Sequence, residues 1–252
     1  MSVRSIARKQ IAVLLLLAAW EAAPRLGLAD PAFLPPFSVV MATIWEQAAA
    51  GELTRHAAIS LFRAVTGFLI AVSLAVPAGL ILGSEFGLAD AFSPLCNVLS
   101  QANPFILFHI VLLFLGIGEA PKVAIIAWVC AWPVLFGSMA SIHGVDPDLL
   151  RTGRAFGLRR LPLFWKVVLP AAAPAIFTAL RFSAGLAFFV LIAAEMMGAS
   201  SGLGWLVLSY QETYHAARIF AAATSIAILG LVSDLGLGWL ERKAAFRGAE
   251  HF

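Results

Sequence analysis

Charge is scarce in this chain. Asp, Glu, Lys and Arg together make up 12% of its 252 residues, about half the share a water-soluble domain carries. Apolar residues fill 61% and the mean hydropathy is +0.92, so too little polar surface remains to coat a body dissolved in water. Disorder is excluded by the same figures, because it requires low hydrophobicity and high net charge and the formal charge is only +3. Cysteine is nearly absent. Cys96 and Cys130 lie in apolar runs, which excludes a disulfide scaffold and reads as two small core hydrophobes. A pI of 9.2 raises the question of nucleic acid, but the basic residues form no dense patch. Metal-ligand clusters are missing, and the glycines at Gly202 and Gly204 lack the third of a dinucleotide loop. A Gly-x-x-x-x-Gly-Lys-Ser/Thr loop, which would cradle nucleotide phosphates, is missing too. The expectation is an integral membrane protein that is not an enzyme, with no catalytic, metal or cofactor-binding residues and no nucleic-acid partner.

What the chain has in abundance is long apolar runs. A helix needs about 20 mostly apolar residues to cross the hydrocarbon core, and six candidates stand at approximately 11–28, 56–83, 91–115, 123–141, 171–197 and 219–240. Runs such as VLLLLAA and AFFVLIAA lack the alternation of a transmembrane barrel. The fold class is therefore all-α, a polytopic transmembrane helical bundle forming a single domain over 1–252. Lys and Arg gather on the cytoplasmic side of such proteins. With six spans, eleven lie on the side of the two termini and four on the other, which predicts both termini in the cytoplasm. Glu21, Pro24 and Arg25 interrupt the first span, whose basic start also suits a secretory signal. The missing small-x-small cleavage site favours a retained anchor. After it, Pro31, Pro35 and Pro36 predict an extended entry, and Ser38 an N-cap for a short interfacial helix through Val39, Ile44 and Trp45.

Small residues let helices approach closely in lipid. Gly67, Ala71, Ala75, Gly79 and Gly83 recur at every fourth position of the second span, either as a packing stripe or as a mobile seam, and Pro77 predicts a kink there. Ionisable groups inside spans are costly and mark function by default. Arg63 and Glu195 share a depth, which predicts an ion pair across the bundle, the alternative being that each reaches the interface alone. The third span is the most polar. Its Gln101, Asn103 and His109, between Pro94 and the turns after Pro104, read either as glue between helices or as the lining of a path for a hydrophilic solute.

The cytoplasmic loop at about 142–170 is too long and too ordered to be a plain connector. Asp146 caps and Pro147 begins a helix, along whose face lie Leu149, Leu150 and Gly153. Gly157 can end it, and a second amphipathic piece runs to Pro170. Apolar teeth with basic flanks suit docking to another protein, or else an amphipathic helix lying on membrane lipid.

That loop resembles the cytoplasmic loop of ABC importer permeases, which carries Glu-Ala-Ala, three residues, Gly, nine residues and an aliphatic-x-Leu-Pro close. Here Gly157 is the glycine and Val167, Leu169 and Pro170 form the close, while Arg151, Thr152 and Gly153 replace the opening triplet. FLPPFSVV, SLFRAVTGF, GIGEAPK, VDPDLL, AEMMGASSGLG and DLGLGWLERK extend the resemblance from about Phe33 to Arg247, closest to the sulfonate, taurine and nitrate permease group. In the third span the group usually has a proline where His109 stands and an Arg-Pro-x-Pro run where 100–103 stand. The resemblance implies a multi-pass protein of the bacterial inner membrane working as a homodimer. Its partners would be two cytoplasmic ABC ATPases that bind MgATP and an extracytoplasmic solute-binding protein. It assigns the helix at 146–157, with Asp146, Pro147, Leu149, Leu150, Arg151, Gly153 and Gly157, to ATPase coupling. Two rivals stand beside it. A secondary transporter or channel would work without an ATPase, and an intramembrane serine hydrolase would use Ser200 or Ser201 with His215.

Overall fold

In the computed structural model the backbone is described at 3–84 and 86–249, and side chains at 11–84, 88–239 and 241. The side chains of Arg4, Arg8, Lys9, Arg242, Lys243 and Arg247, which contribute to the predicted orientation, lie outside the described residues. Every regular element among the described residues is helical: α1 (Val3–Arg25), α2 (Phe37–Ala49), α3 (Glu52–Ser84), α4 (Phe86–Ser100), α5 (Pro104–Leu115), α6 (Glu119–His143), α7 (Pro147–Ala155), α8 (Arg160–Leu163), α9 (Leu169–Gly198), α10 (Leu203–Glu212) and α11 (Ala216–Ala249). A π-helical turn, Phe164–Val168, joins α8 to α9.

Four stretches are long and apolar enough to cross a membrane: Glu52–Ser84, Glu119–His143, Arg160–Gly198 and Ala216–Trp239. A fifth is counted if Leu88–Ser100 and Pro104–Leu115 act together, and these two helices meet at 86°. The third predicted span is thus corrected, since 91–115 is no single helix. Asn103 Oδ1 accepts from the backbone N–H of Phe105 at 2.9 Å and of Ile106 at 3.4 Å, and Pro104 takes the first position of α5. A capping side chain followed by proline starts a new helix rather than continuing the old one.

The contacts divide the chain into two compact units, Met1–Ser60 with Ala199–Ile228 and Leu61–Gly198 with Leu229–Phe252. In the first unit the predicted cap at Ser38 is also corrected. Pro36 occupies the cap position of α2 and makes no side-chain bond. Glu21, at the end of α1, instead accepts from Ser38 N and Ser38 Oγ, both at 2.8 Å. A carboxylate from another helix therefore satisfies a free N–H in the first turn of α2. Trp20 closes the same corner, donating from Nε1 to the Pro35 carbonyl at 3.1 Å.

Short α10 was not expected from the sequence, and α3 holds its start. Gly202 N donates to His56 Nδ1 at 2.9 Å, and Leu203 N to Ser60 Oγ at 2.8 Å. Near its other end Tyr210 is buried, accepting from Gln47 Nε2 at 3.0 Å and donating to Glu52 Oε1 at 3.1 Å. Burial, reinforced by the Glu52 carboxylate, leaves its phenol pushed up to about 12, so the hydroxyl stays protonated and keeps donating.

The second unit is built on close helix approach. A Cβ on Gly67 would lie 2.7 Å from Ile126 Cγ2, and one on Gly79 would lie 2.6 Å from the Leu135 carbonyl oxygen. The small-residue stripe of α3 therefore lets its backbone meet α6 directly. Gly137 plays the same part between α6 and α9, where an added Cβ would sit 2.3 Å from Ala179 Cβ. Ser183 of α9 donates from Oγ to the Cys130 carbonyl of α6 at 2.9 Å. Cys130 is fully buried beside Ile125, Ile126 and Leu191.

Gly79→Ala is expected to lower stability by about 1–3 kcal/mol, because the new methyl meets backbone that cannot rotate away. Thermal unfolding in detergent checks this against Gly185→Ala in α9, where an added Cβ meets nothing within 4 Å and no loss is expected.

Candidate functional site

Two features of the second unit bear on function, a buried charge network and the loop that carries α7. Arg63, on α3, has a side chain with 0% exposure. Its Nη1 donates to Glu195 Oε1 of α9 at 2.7 Å, and its Nη2 to Glu119 Oε1 of α6 at 2.7 Å. Arg63 Nε also donates to Glu119 Oε2, so Glu119 is held by two parallel bonds, the strong geometry for a guanidinium and a carboxylate. Lys122 Nζ, itself buried, reaches Glu119 Oε1 at 3.2 Å. Two positive and two negative groups thus balance where an unpaired charge would be very costly. Glu195 is as buried as Arg63, while Glu119 is about half exposed.

The structure brings Arg63 and Glu195 together, with α6 supplying two further members. Glu119 went unnoticed in the sequence, although a signal was there. An acidic residue in the first turn of an apolar helix sits where the helix dipole favours it, at the same end of its span as Arg63 and Glu195 are of theirs. A second cluster was also missed. Arg181 of α9 donates to both carboxylate oxygens of Asp234 at 3.1 and 3.0 Å, and to Glu241 at 3.2 Å, tying α9 to α11.

At the other end of α9 lies the connection bearing α7. Asp146 accepts from Asp148 N at 2.8 Å, with Pro147 at the first helical position. The helix closes where Gly157 N donates to Arg154 O at 2.9 Å and Leu158 N to Gly153 O at 3.1 Å. This paired closure needs a left-handed residue, and Gly157 supplies φ +79°. Gly153 is buried, and a Cβ there would lie 2.5 Å from Leu163 Cδ1, so α7 rests directly on α8. Leu150 turns inward onto Val145, Ala172 and Ile176. Leu149 and Phe156 are exposed, and Arg151 bonds Asp148 at 2.8 Å on the open surface. The apolar teeth of α7 are therefore Leu149 and Phe156. Leu150, expected beside Leu149, is partly buried against the chain's own core.

Gln101 and Asn103 occupy the break between α4 and α5, and His109 lies in α5 with Nδ1 2.8 Å from the Phe105 carbonyl. All three are exposed.

Long apolar helices enclosing balanced charge, with an amphipathic helix mounted on a basic connection, define a polytopic membrane protein. The chain belongs to the family described as the inner membrane component of binding-protein-dependent transport systems, which matches residues 75–246. It is 33% identical over 231 residues to an aliphatic sulfonates transport permease protein of Escherichia coli (strain K12), covering 90% of this chain and 86% of the relative. With the taurine transport system permease protein of the same organism it shares 30% identity over 233 residues, 90% of this chain and 85% of the relative. Its fold matches a chain of the MetNI methionine ABC transporter with a TM-score of 0.70 at 17% identity, over 79% of this chain and 98% of that one. The protein is accordingly a multi-pass ABC importer permease.

Arg63→Gln is expected to cost about 3–5 kcal/mol, since it removes the guanidinium from two carboxylates at once. Glu195→Gln should cost less, because the paired bonds to Glu119 survive. Unfolding midpoints of the two purified variants check this order, and equal midpoints would contradict the geometry.

Proposed function

We propose that this chain forms the translocation path of an ATP-driven importer for a small organic sulfonate or similar oxyanion, such as taurine or nitrate. The observation that carries the reading is α7, a capped amphipathic helix with exposed apolar teeth, mounted on the base of a span. Relatives named for sulfonate and taurine transport support the substrate class. In this reading 1–252 is one transmembrane domain of six spans with both termini in the cytoplasm, and the chain pairs with a second copy of itself. Two cytoplasmic ATPases bind MgATP, and an extracytoplasmic binding protein delivers the solute to a complex in the bacterial inner membrane.

The mechanism follows from how α7 is mounted. Leu149 and Phe156 enter a groove on the ATPase, while Asp146, Pro147 and Gly157 keep the helix short and its ends defined. Arg151, bonded to Asp148, stands at the rim of that contact. Gly153 against Leu163, and Leu150 against Val145 and Ile176, make α7 move as one body with the base of α9. From Arg160 to Gly198 the chain is helical without a break, so a push at α7 travels along a rod to Glu195. There it acts on the Arg63 network, whose strong bonds favour discrete arrangements over gradual bending. Gln101 and Asn103, at a break in the helical backbone, and His109 of α5 line the path. Polar side chains and irregular backbone are tolerated at membrane depth where they face a water-filled cavity.

ATP-dependent taurine uptake into liposomes holding the chain, its ATPase and its binding protein tests the function. Uptake that persists without ATP would reject it. Replacing Leu149 and Phe156 with Asp should abolish ATPase co-purification while the chain still inserts and unfolds normally. Leu150→Asp should instead lower the unfolding midpoint. A Leu149→Asp, Phe156→Asp variant that retained its ATPase would reject the docking role.

A further inference from the structure

The end of α10 holds a bulky aromatic where the backbone favours glycine. Tyr214 N donates to Gln211 O at 3.2 Å and His215 N to Tyr210 O at 3.0 Å, the same paired closure that Gly157 provides for α7. Here the left-handed residue is Tyr214, at φ 57°, and among the described residues every other positive φ belongs to glycine. That conformation is disfavoured for a side chain with a Cβ, and such strain persists where function depends on it. Packing does not explain the choice. Tyr214 is 93% exposed, the highest value among the large apolar side chains described. Gln211, Glu212, Thr213 and His215 around it are exposed and polar, a setting for a soluble partner rather than for lipid.

Connectivity gives the side. The segment 199–215 joins the end of α9 to the start of α11, whereas α7 is attached at the beginning of α9. In the six-span reading with cytoplasmic termini, the segment 199–215 follows the fifth span and is extracytoplasmic. Tyrosine is enriched among the few residues that dominate protein interfaces.

We propose that Tyr214 is an anchor for the soluble solute-binding protein of this chain's own transport system. The inference rests on the importer reading and its topology. It is tested on the complex of the chain with its ATPase in nanodiscs, against the binding protein of the same system loaded with taurine. Tyr214→Gly and Tyr214→Asn suit the left-handed backbone and remove the ring, while Tyr214→Phe retains it. The Gly and Asn variants should unfold about 2–4 °C higher than the native chain yet bind the binding protein about tenfold more weakly. The Phe variant should bind as the native chain does. Unchanged affinity in the Gly and Asn variants would overturn the inference alone. Unchanged affinity with a stability change seen in nanodiscs but not in detergent would assign the ring to lipid headgroups and also overturn it. Failure of the native complex to bind the binding protein, loaded or empty, would overturn both the inference and the topology beneath it.

Discussion

A fully buried guanidinium sets the terms for the larger unit of this protein. Arg63 carries a permanent charge with no exposure, and in apolar surroundings that charge must be met by carboxylates at bonding distance. Glu119 and Glu195 meet it from α6 and α9. Each of the three helices is thereby held at one axial height and one rotation. The glycines agree with that register. Gly67 and Gly79 admit α6 at two levels of α3, and Gly137 admits α9 to α6. Sliding any helix by one turn would bring a larger side chain into those contacts while separating the charges. Close packing and charge balance therefore select the same arrangement.

The last of these helices also runs the length of the larger unit. Unbroken helix from Arg160 to Gly198 has α7 docked at its base and Glu195 in its last turn. At one end lie exposed Leu149 and Phe156, at the other a network with a half-exposed member, Glu119. One continuous helix thus joins an exposed apolar surface to a buried ion network. The cluster of Arg181, Asp234 and Glu241 then fastens α11 to the same rod.

Much of this was legible in the sequence. Apolar runs marked the long helices, and the every-fourth stripe of α3 marked its packing face, because both follow from a 3.6-residue period and from residue size alone. Asp146, Pro147 and Gly157 announced α7, because caps and left-handed positions are local chemistry. Other features misled or stayed silent. Ser38 looked like a cap, but Glu21 of another helix took that place. The apolar content of 91–115 looked continuous, while Asn103 and Pro104 turned the chain through 86°. Leu149 and Leu150 looked alike, yet one faces outward and the other inward.

Sequence by itself determined what must be buried in lipid, where most of the long apolar helices lie and where α7 starts and stops, since those depend on each residue's own hydropathy, size and backbone preference. Only the tertiary structure decided that Arg63 has two carboxylate partners, that Lys122 completes the balance, and which leucine of α7 is exposed. Those depend on side chains far apart in the chain meeting at bonding distance. A charge seen in one segment announces that a partner exists, but the identity of that partner is a property of the fold.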